Sequence, residues 1–399
     1  MTQELKDIFT QFLKTKQIFA NRSALTIAFA PETIPHREQQ IADLGKILAP
    51  TLKGARPSNI FIYGRTGTGK TLIARLVASE LERLSKENGY AIKTIYLNCK
   101  MKREADTEYR LLAALTKELG KEVPFTGLPT DKIYRTFFET IDSKDQTIIL
   151  VIDEIDALVQ KTGDEILYNL TRINQELKRA RISIIGITNN LNFINNIEPR
   201  VKSSLSEEEL IFPPYNAVEL QDILRTRANL AFAPGVIGEG VIEKCAALAA
   251  QEHGDARRAL DLLRVAAELA ERAGDEKITT EHVDNAEDKV DLDRIIEIIK
   301  TQPRQSQIVL SAIVQLAEKN RAVQTSDVFS TYMEICRHHR TKQLTQRRIS
   351  DLIAELELFG IIDAKIISRG RHGRTRVISL SLPESVIEKI KNILQQLFI

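Results

Sequence analysis

Four short apolar runs, separated by helical patterns, organise the first half of the chain. Residues 60–63, 147–152 and 182–188 are nearly unbroken apolar runs, and residues 93–97 form a weaker one. Unbroken apolar strands are typical of a parallel sheet that helices cover on both faces. The first half is therefore predicted to be an α/β domain. Helices interrupted at Pro31 and Pro35 are expected before it, between about residues 5 and 52.

The second half is predicted to be mostly helical. Pro213 and Pro214 mark a break, after which apolar positions recur at helical spacing over residues 216–232, 240–252, 256–272 and 280–291. The last part has helical patterns at 295–300, 305–319, 326–338 and 345–358, then strands at 362–368 and 375–382. We therefore expect an α/β domain at 1–212, an all-α domain at 213–293 and an α+β winged helix at 294–399.

The composition is that of an ordinary globular protein, since 43% of the 399 residues are hydrophobic and 28% are charged. No apolar run reaches the length that spans a bilayer, and the amino-terminal stretch is charged and amphipathic, unlike a signal peptide. The three cysteines are odd in number and far apart, which is typical of a reducing compartment. These features predict a cytoplasmic protein with no membrane partner.

Charge is distributed unevenly, although the net charge is only +2. From Ile295 onward there are 16 Lys and Arg against 10 Asp and Glu, whereas the rest of the chain has 40 against 44. An excess of cations in the carboxyl-terminal part favours a polyanion as the partner of that part.

A glycine-rich segment between the first apolar run and the helical pattern at 72–82 carries the most specific signal. It consists of Gly64, Arg65, Thr66, Gly67, Thr68, Gly69, Lys70 and Thr71. Glycines let the backbone wrap around phosphate oxygens, Lys70 reaches the outer phosphates, Thr71 can bind Mg²⁺, and the helix amino terminus favours the anion. The segment predicts a nucleoside triphosphate site; the alternative is a glycine-rich turn without a ligand.

Polar residues follow the next two long apolar runs. Asp153 and Glu154 come after residues 147–152, and Asn189 comes after residues 182–188. In a phosphate-loop enzyme the first acid helps to hold Mg²⁺ beside Thr71, and the second polarises the attacking water, which an amide can orient. The alternatives are a helix cap for the acids and a turn for Asn189.

Two arginines are candidates for neutralising charge on a transferring phosphoryl group. Arg200 follows the last predicted strand, and Arg257 lies at the start of a helix in the all-α domain. Taken alone, each is more often a solvated or structural arginine.

The order of these motifs resembles that of the AAA+ ATPases, and in particular the archaeal replication initiators related to eukaryotic origin-recognition and helicase-loading subunits. The segments that carry the resemblance lie at 34–38, 61–71, 151–156, 186–190, 200–205 and 254–260, together with the carboxyl-terminal helix and wing. The resemblance implies an AAA+ base, a helical lid and a winged-helix domain, with ATP or ADP and Mg²⁺ as cofactors.

The resemblance also implies roles for single residues. Asn189 is the expected first sensor, Arg257 the second sensor, and Arg200 the finger that completes the site of a neighbouring protomer. Four residues are expected near the adenine: Pro35, His36, Arg37 and, from the lid, Tyr215.

Two parts of the chain are candidates for binding double-stranded DNA. Thr345 is a predicted helix cap, and a helix inserted by this end would present Gln346, Arg347 and Arg348 to a major groove. The strand hairpin adds Arg369, Arg371, Arg374 and Arg376. The resemblance adds an insertion at about 104–130, with Lys121, Phe125 and Thr126 as candidates. The alternatives are a winged helix that contacts protein and a packed connecting loop.

Together these features predict an ATP-dependent replication initiator that binds double-stranded origin DNA, with slow hydrolysis as a switch. Its expected partners are the replicative helicase and other initiator paralogues or copies of itself. Two alternatives are a transcription-regulating ATPase with a winged helix, which would bind promoters, and a clamp-loader-type ATPase, which would be indifferent to DNA sequence.

Overall fold

The structure is a computed structural model. It describes residues 6, 9–10, 17–26, 29–31, 33–100, 107–124, 127, 129–205, 207–319, 323–368, 374–380, 382 and 384–397. The chain divides into two compact units, Met1–Val283 and Asp284–Ile399. Among the described residues, none of the helices combines the length and apolar character needed to span a bilayer.

A five-stranded parallel sheet forms the centre of the first unit. Its strands are β1 (Asn59–Gly64), β2 (Ile92–Asn98), β3 (Gln146–Asp153), β4 (Ala180–Thr188) and β5 (Glu207–Phe212), in the order β2-β3-β4-β1-β5. β1 and β3 are buried along their whole length, as strands covered on both faces must be. Because the strands are parallel, their carboxyl ends share one edge. At this edge the phosphate loop follows β1, Asp153 ends β3 and Asn189 follows β4.

Helices cover both faces of this sheet. They are α1 (Glu38–Leu48), α2 (Lys70–Glu87), α3 (Glu108–Glu118), α4 (Thr130–Ile141), α5 (Ile155–Thr162), α6 (Glu165–Arg172) and α7 (Pro199–Leu205). Side chains alternate along a strand, so β1 contributes to two separate cores. Ile60 and Ile62 pack in one core with α1 and α2, whereas Phe61 and Tyr63 pack in the other with α3 and α4.

A helical lid follows β5 in the first unit. It comprises α8 (Ala217–Ala231), α9 (Val241–Gln251), α10 (Ala256–Ala273) and the beginning of α11 (Thr280–Thr301). The amino-terminal segment 17–26 packs on this lid, since the N–H groups of Ala20 and Asn21 donate to the Ala231 carbonyl oxygen at 2.8 and 3.0 Å. The domain prediction grouped this segment with residues 1–212, but these contacts join it to the lid.

The second unit contains a winged helix. Its helices are α12 (Arg304–Lys319), α13 (Thr325–His338), α14 (Gln346–Leu358) and α15 (Glu384–Leu397), and an antiparallel sheet of β6 (Val323–Gln324), β8 (Arg374–Leu380) and β7 (Ile362–Ser368) packs with them. The apolar stripe predicted on α14 is buried: Ile349, Leu352, Ile353 and Leu356. Thr345 caps α14 as predicted, because its side chain accepts the N–H of Arg348.

Several elements differ from the sequence prediction, among them the short strand β6, which was not predicted. β5 was missed because Glu207, Glu208 and Glu209 interrupt its apolar pattern. Charged residues of this kind are tolerated in β5 because it is the edge strand, next to β1, of the sheet that the described residues form. The helices predicted at 280–291 and 295–300 are one continuous helix, α11. α15 was not predicted, although Ile390 and Leu394 pack in the core of the second unit.

Candidate functional site

The phosphate loop joins β1 to α2 and contains two glycines with left-handed backbone. Gly67 and Gly69 have φ angles of 72° and 93°, which glycine adopts without steric cost. Thr68 is fully buried, and its hydroxyl donates to the Arg65 carbonyl oxygen at 2.9 Å. Among the described residues no side chain caps the start of α2, so its first N–H groups can bind an anion.

Lys70 is held by three oxygen atoms at the end of the sheet. Its Nζ donates to the carbonyl oxygens of Gly64 and Arg65, both at 2.7 Å, and to Oδ1 of Asn189 at 2.8 Å. Burial lowers the pKa of Lys70 to about 8, although the charge of Asp153 opposes this shift. A desolvated ammonium group is stabilised by an approaching phosphate. The structure thus brings Asn189, the expected first sensor, into contact with Lys70.

Three donors orient the carboxylate of Asp153. Its Oδ2 accepts the hydroxyl of Thr71 at 2.8 Å and the hydroxyl of Tyr96 at 2.7 Å, and its Oδ1 accepts the N–H of Glu154 at 3.0 Å. Tyr96 was not predicted as a site residue. Its only sequence signal is a polar atom near the end of β2, the strand that pairs with β3. The guanidinium of Arg75 lies 4.7 Å from the centre of the Tyr96 ring and steadies it.

The oxygens of Thr71 and Asp153 fit Mg²⁺, which prefers oxygen ligands. Such sites use one or two side chains and complete the shell with water and phosphate oxygens. Within the described residues there is no group of three or more His, Cys, Asp or Glu side chains suited to a metal. A Mg²⁺ site built from Thr71, Asp153, water and phosphate oxygens does not require such a group.

Glu154 occupies the turn from β3 to α5 with a left-handed φ of 56°. That conformation is unusual for a residue other than glycine and is enriched at functional sites. The side chain is 21% exposed, and Oε2 lies 3.5 Å from Nζ of Lys100. A partly exposed carboxylate next to Asp153 is suitably located to activate water.

The lid contacts the phosphate loop through the start of α10. The N–H of Ala256 donates to the Gly67 carbonyl oxygen at 3.3 Å. A Cβ built on Gly67 would lie 1.6 Å from Oδ1 of Asp255. Beside this contact, Arg65 NH1 lies 2.8 Å from His253 Nδ1. Sequence reasoning missed Asp255 and His253, whose roles depend on a contact between distant parts of the chain.

The two predicted arginines have different surroundings. The N–H of Arg257 donates to Oδ1 of Asp255 at 2.8 Å, and Asp255 lies against Gly67 of the phosphate loop. Burial is the main cause of the lowered pKa of Lys70, and the positive charge of Arg257 lowers it further. Arg200 is exposed, and its Nε donates to Oε2 of Glu198 at 2.5 Å, which raises the pKa of Arg200. Its contacts among the described residues are with Glu198 and the Tyr168 ring and not with the phosphate loop.

Arg37, predicted to lie near the adenine, is a buried link within the protein. Its guanidinium donates to the carbonyl oxygens of Thr68 at 3.1 Å and Pro213 at 2.5 Å. It also lies 3.7 Å from the centre of the Tyr215 ring. Burial lowers the pKa of Arg37. The guanidinium is therefore bound to both the AAA+ domain and the lid. Any contact of Arg37 with an adenine would have to come from its backbone.

The other predicted adenine-side residues also lie where base and lid meet. Nε2 of His36 is 3.0 Å from Oδ2 of Asp222 on α8, and Pro35 precedes it partly buried. Tyr215 is buried, and a Cβ built on Gly69 would lie 3.2 Å from its hydroxyl. Tyr215 therefore lies against the phosphate loop, and His36 contacts the lid.

The start of α14 presents three predicted DNA-binding residues. Gln346, Arg347 and Arg348 are all exposed. Arg348 is partly compensated, because its NH1 lies 3.8 Å from Asp351 and 3.5 Å from Glu355. Gln346 and Arg347 have no such acidic neighbours within the described residues.

The remaining predicted DNA-binding residues are partly described. Arg374 begins β8, Arg376 is half-buried on the same strand, and Lys121 is exposed after α3. Four others lie outside the described residues: Arg369, Arg371, Phe125 and Thr126.

Three protein families match this chain. The ATPase family associated with various cellular activities (AAA) matches residues 60–213, the Cdc6 AAA+ ATPase-type lid domain matches 221–288, and the CDC6 C-terminal winged helix domain matches 297–390. The predicted AAA+, lid and winged-helix fold is confirmed by these matches.

Relatives similar to this chain cover nearly its whole length. It is 51% identical over 397 residues to the ORC1-type DNA replication protein of Pyrococcus furiosus, covering 98% of this chain and 93% of that protein. It is 48% identical over 391 residues to ORC1-type DNA replication protein 1 of Methanosarcina acetivorans, covering 97% and 94%. The structure of the Aeropyrum pernix ORC1 protein in complex with DNA matches with a TM-score of 0.84 and 44% identity, over 95% of this chain and 97% of that one.

Proposed function

Because this chain belongs to the ORC1-type DNA replication proteins, we propose that it is an ATP-regulated initiator that binds origin DNA. Its AAA+ domain makes it an ATPase, and the relative from Aeropyrum pernix was solved in complex with DNA. The observation that carries the proposal is the convergence of Lys70, Thr71 and Asp153 at one sheet edge that the lid contacts.

In this proposal the phosphate loop binds the triphosphate through its backbone N–H groups. Lys70 exchanges its contacts with Gly64 and Arg65 for phosphate oxygens, and Thr71 and Asp153 hold Mg²⁺. When bound, Mg²⁺ neutralises charge on the outer phosphates. Glu154 then accepts a proton from the attacking water, which releases phosphate and leaves ADP.

Hydrolysis acts as a slow switch in this proposal. Asn189 and Arg257 would sense the outer phosphate, one from the base and the other from the lid. Since Asp255 and Ala256 contact Gly67, a change in the loop changes the contacts that hold the lid. A nucleotide that interacts differently with two lid positions shifts the balance between them.

DNA is contacted by the exposed start of α14, by the wing arginines and by the insertion at about 104–130. The replicative helicase, and paralogues or further copies of this chain, are the proposed protein partners. The proposed location is the cytoplasm, at the nucleoid.

Genome-wide mapping of bound sites, with the parent protein and with Glu154→Gln, tests this function. Binding concentrated at replication start sites is expected. Enrichment at promoters would favour a transcription switch, and binding without sequence preference would favour a clamp-loader-type ATPase. Equal affinity of the purified protein for cognate and scrambled duplexes in every nucleotide state would overturn the proposal.

A further inference from the structure

Sixteen consecutive residues of the second unit, 335–350, carry five cations and no acid. They span the end of α13, its connection to α14 and the start of α14. We call residues 337–342 the connecting turn. Its three cations, Arg337, Arg340 and Lys342, are exposed and are separate from the α14 and wing residues already assigned to DNA.

The cations of the connecting turn lack acidic partners. Arg348, a few residues later, lies within 4 Å of Asp351 and Glu355. Among the described residues no carboxylate pairs in this way with Arg337, Arg340 or Lys342. Uncompensated exposed cations close together in sequence attract a polyanion, because binding releases the counterions condensed on it.

The backbone around the connecting turn is fixed by side chains of the winged-helix core. Nε2 of Gln305 donates to the Lys342 carbonyl oxygen at 2.9 Å. The N–H of Leu344 donates to the hydroxyl of Tyr332 at 3.1 Å, and that hydroxyl donates to Gln305. The exposed cations are therefore attached to a backbone that is held in place before any partner binds, which reduces the ordering cost of binding.

Arg340 occupies a position that favours glycine. The N–H of Thr341 donates to the Cys336 carbonyl oxygen at 2.9 Å and that of Arg340 to the Arg337 carbonyl oxygen at 3.3 Å, which ends α13 in a Schellman motif. In this motif the residue at the position of Arg340 is left-handed and is usually glycine, and Arg340 has a φ of 50°. An arginine at this strained position is therefore a candidate for a side-chain function.

We propose that Arg337, Arg340 and Lys342 form a binding surface for the sugar-phosphate backbone of duplex DNA, next to the helix α14 that enters the groove. This inference rests on the proposed DNA-binding function and extends it to a turn that reads no bases. Phosphate contacts of this kind fix the register of a recognition helix and act on all sequences alike.

The experiment compares Arg340→Gly, Lys342→Gln and the parent protein. Affinity for a duplex from a mapped binding site and for a scrambled duplex is measured from low to high salt. Losing one phosphate contact lowers the slope of log affinity against log salt by about 0.9 and the affinity by about eightfold at 0.1 M salt, for both duplexes. Lys389→Gln on α15, which also removes an exposed cation, should leave affinity and slope unchanged.

Folding is monitored by thermal unfolding. Arg340→Gly should melt no lower than the parent protein, because glycine adopts the left-handed conformation freely. Lys342→Gln keeps the carbonyl group that Gln305 holds, so it provides an independent variant. If the parent binds duplex DNA and both variants retain its affinity and slope, the proposed surface is wrong. A loss confined to the cognate duplex would also overturn it. Failure of the parent itself to bind duplex DNA would instead reject the proposed function.

Discussion

Gly67 of the phosphate loop and Asp255 at the start of α10 are in direct contact, and no side chain fits at position 67. A Cβ there would lie 1.6 Å from Oδ1 and 2.2 Å from Cγ of Asp255. Asp255 also caps α10, because its side chain accepts the N–H of Arg257 at 2.8 Å. The carboxylate of Asp255 thus connects the phosphate loop to α10, the helix that carries Arg257, the predicted second sensor.

Gly67→Ala should weaken the contact between the lid and the phosphate loop and weaken nucleotide binding. The substitution strains a left-handed φ and forces Asp255 away, at a combined cost of about 2–4 kcal/mol. Thermal unfolding and titration with a fluorescent ATP analogue measure the two effects. Gly45→Ala on α1 is the matched control, since nothing lies within 4 Å of a Cβ there, and it should stabilise the protein by about 0.5–1 kcal/mol. Unchanged nucleotide affinity in Gly67→Ala would show that the contact is dispensable.

Tyr96→Phe should weaken the Mg²⁺-dependent part of nucleotide binding. The substitution removes one of two hydroxyl donors to Oδ2 of Asp153 and keeps the ring beneath Arg75. Loss of such an orienting partner costs about 10- to 100-fold in metal affinity. ATP affinity is measured by calorimetry with Mg²⁺ and with a chelator.

When the chelator removes Mg²⁺, Tyr96→Phe and the parent protein should bind ATP with the same affinity. Tyr109→Phe, which removes a hydroxyl bonded to the Pro124 carbonyl oxygen, serves as the control and should behave like the parent. Equal loss with and without Mg²⁺ would mean that Tyr96 supports the fold and not the metal site.

Glu154→Gln should retain bound ATP and lose turnover. The amide keeps the size of the side chain but cannot accept a proton from water, which lowers the rate by about 10²- to 10⁴-fold. Single-turnover hydrolysis and nucleotide affinity separate the two effects. Glu139→Gln on α4, an exposed glutamate, should change neither quantity. Near-normal turnover by Glu154→Gln would remove Glu154 from the role of base.

The sequence predicted those parts of the site whose chemistry is local. Lys70, Thr71 and Asp153 lie within short motifs at strand ends, and the structure brings Lys70 to Asn189 and Thr71 to Asp153. Tyr96 and Asp255 could not be identified, because their roles arise from pairing of β2 with β3 and from the lid meeting the loop. Both contacts join residues that are far apart in sequence.

The resemblance did not reveal the contacts of the Arg37 side chain, whose guanidinium is buried against Thr68, Pro213 and Tyr215. Its place near the adenine stays a prediction. Local pattern misled at one strand. β5 begins with three glutamates, a residue type that is depleted in strands. Its pairing with β1 outweighs this unfavourable composition.

Arg200 should act on the site of a neighbouring protomer. It is exposed, and its contacts among the described residues do not reach the phosphate loop of its own chain. Arg200→Ala should therefore leave ATP affinity unchanged at low protein concentration and abolish the hydrolysis that depends on assembly on DNA. Glu154→Gln should also be inactive, because its own site lacks the base.

Mixing the two inactive variants distinguishes action in trans from action in cis. In a mixed assembly, a protomer with intact Glu154 can receive Arg200 from its Glu154→Gln neighbour, so part of the hydrolysis on DNA should return. If Arg200 served its own site, every protomer in the mixture would still lack one group and activity would stay absent. The mixture is assayed over a range of ratios, and an activity maximum near equal amounts is the expected result, since that ratio gives the most mixed neighbours.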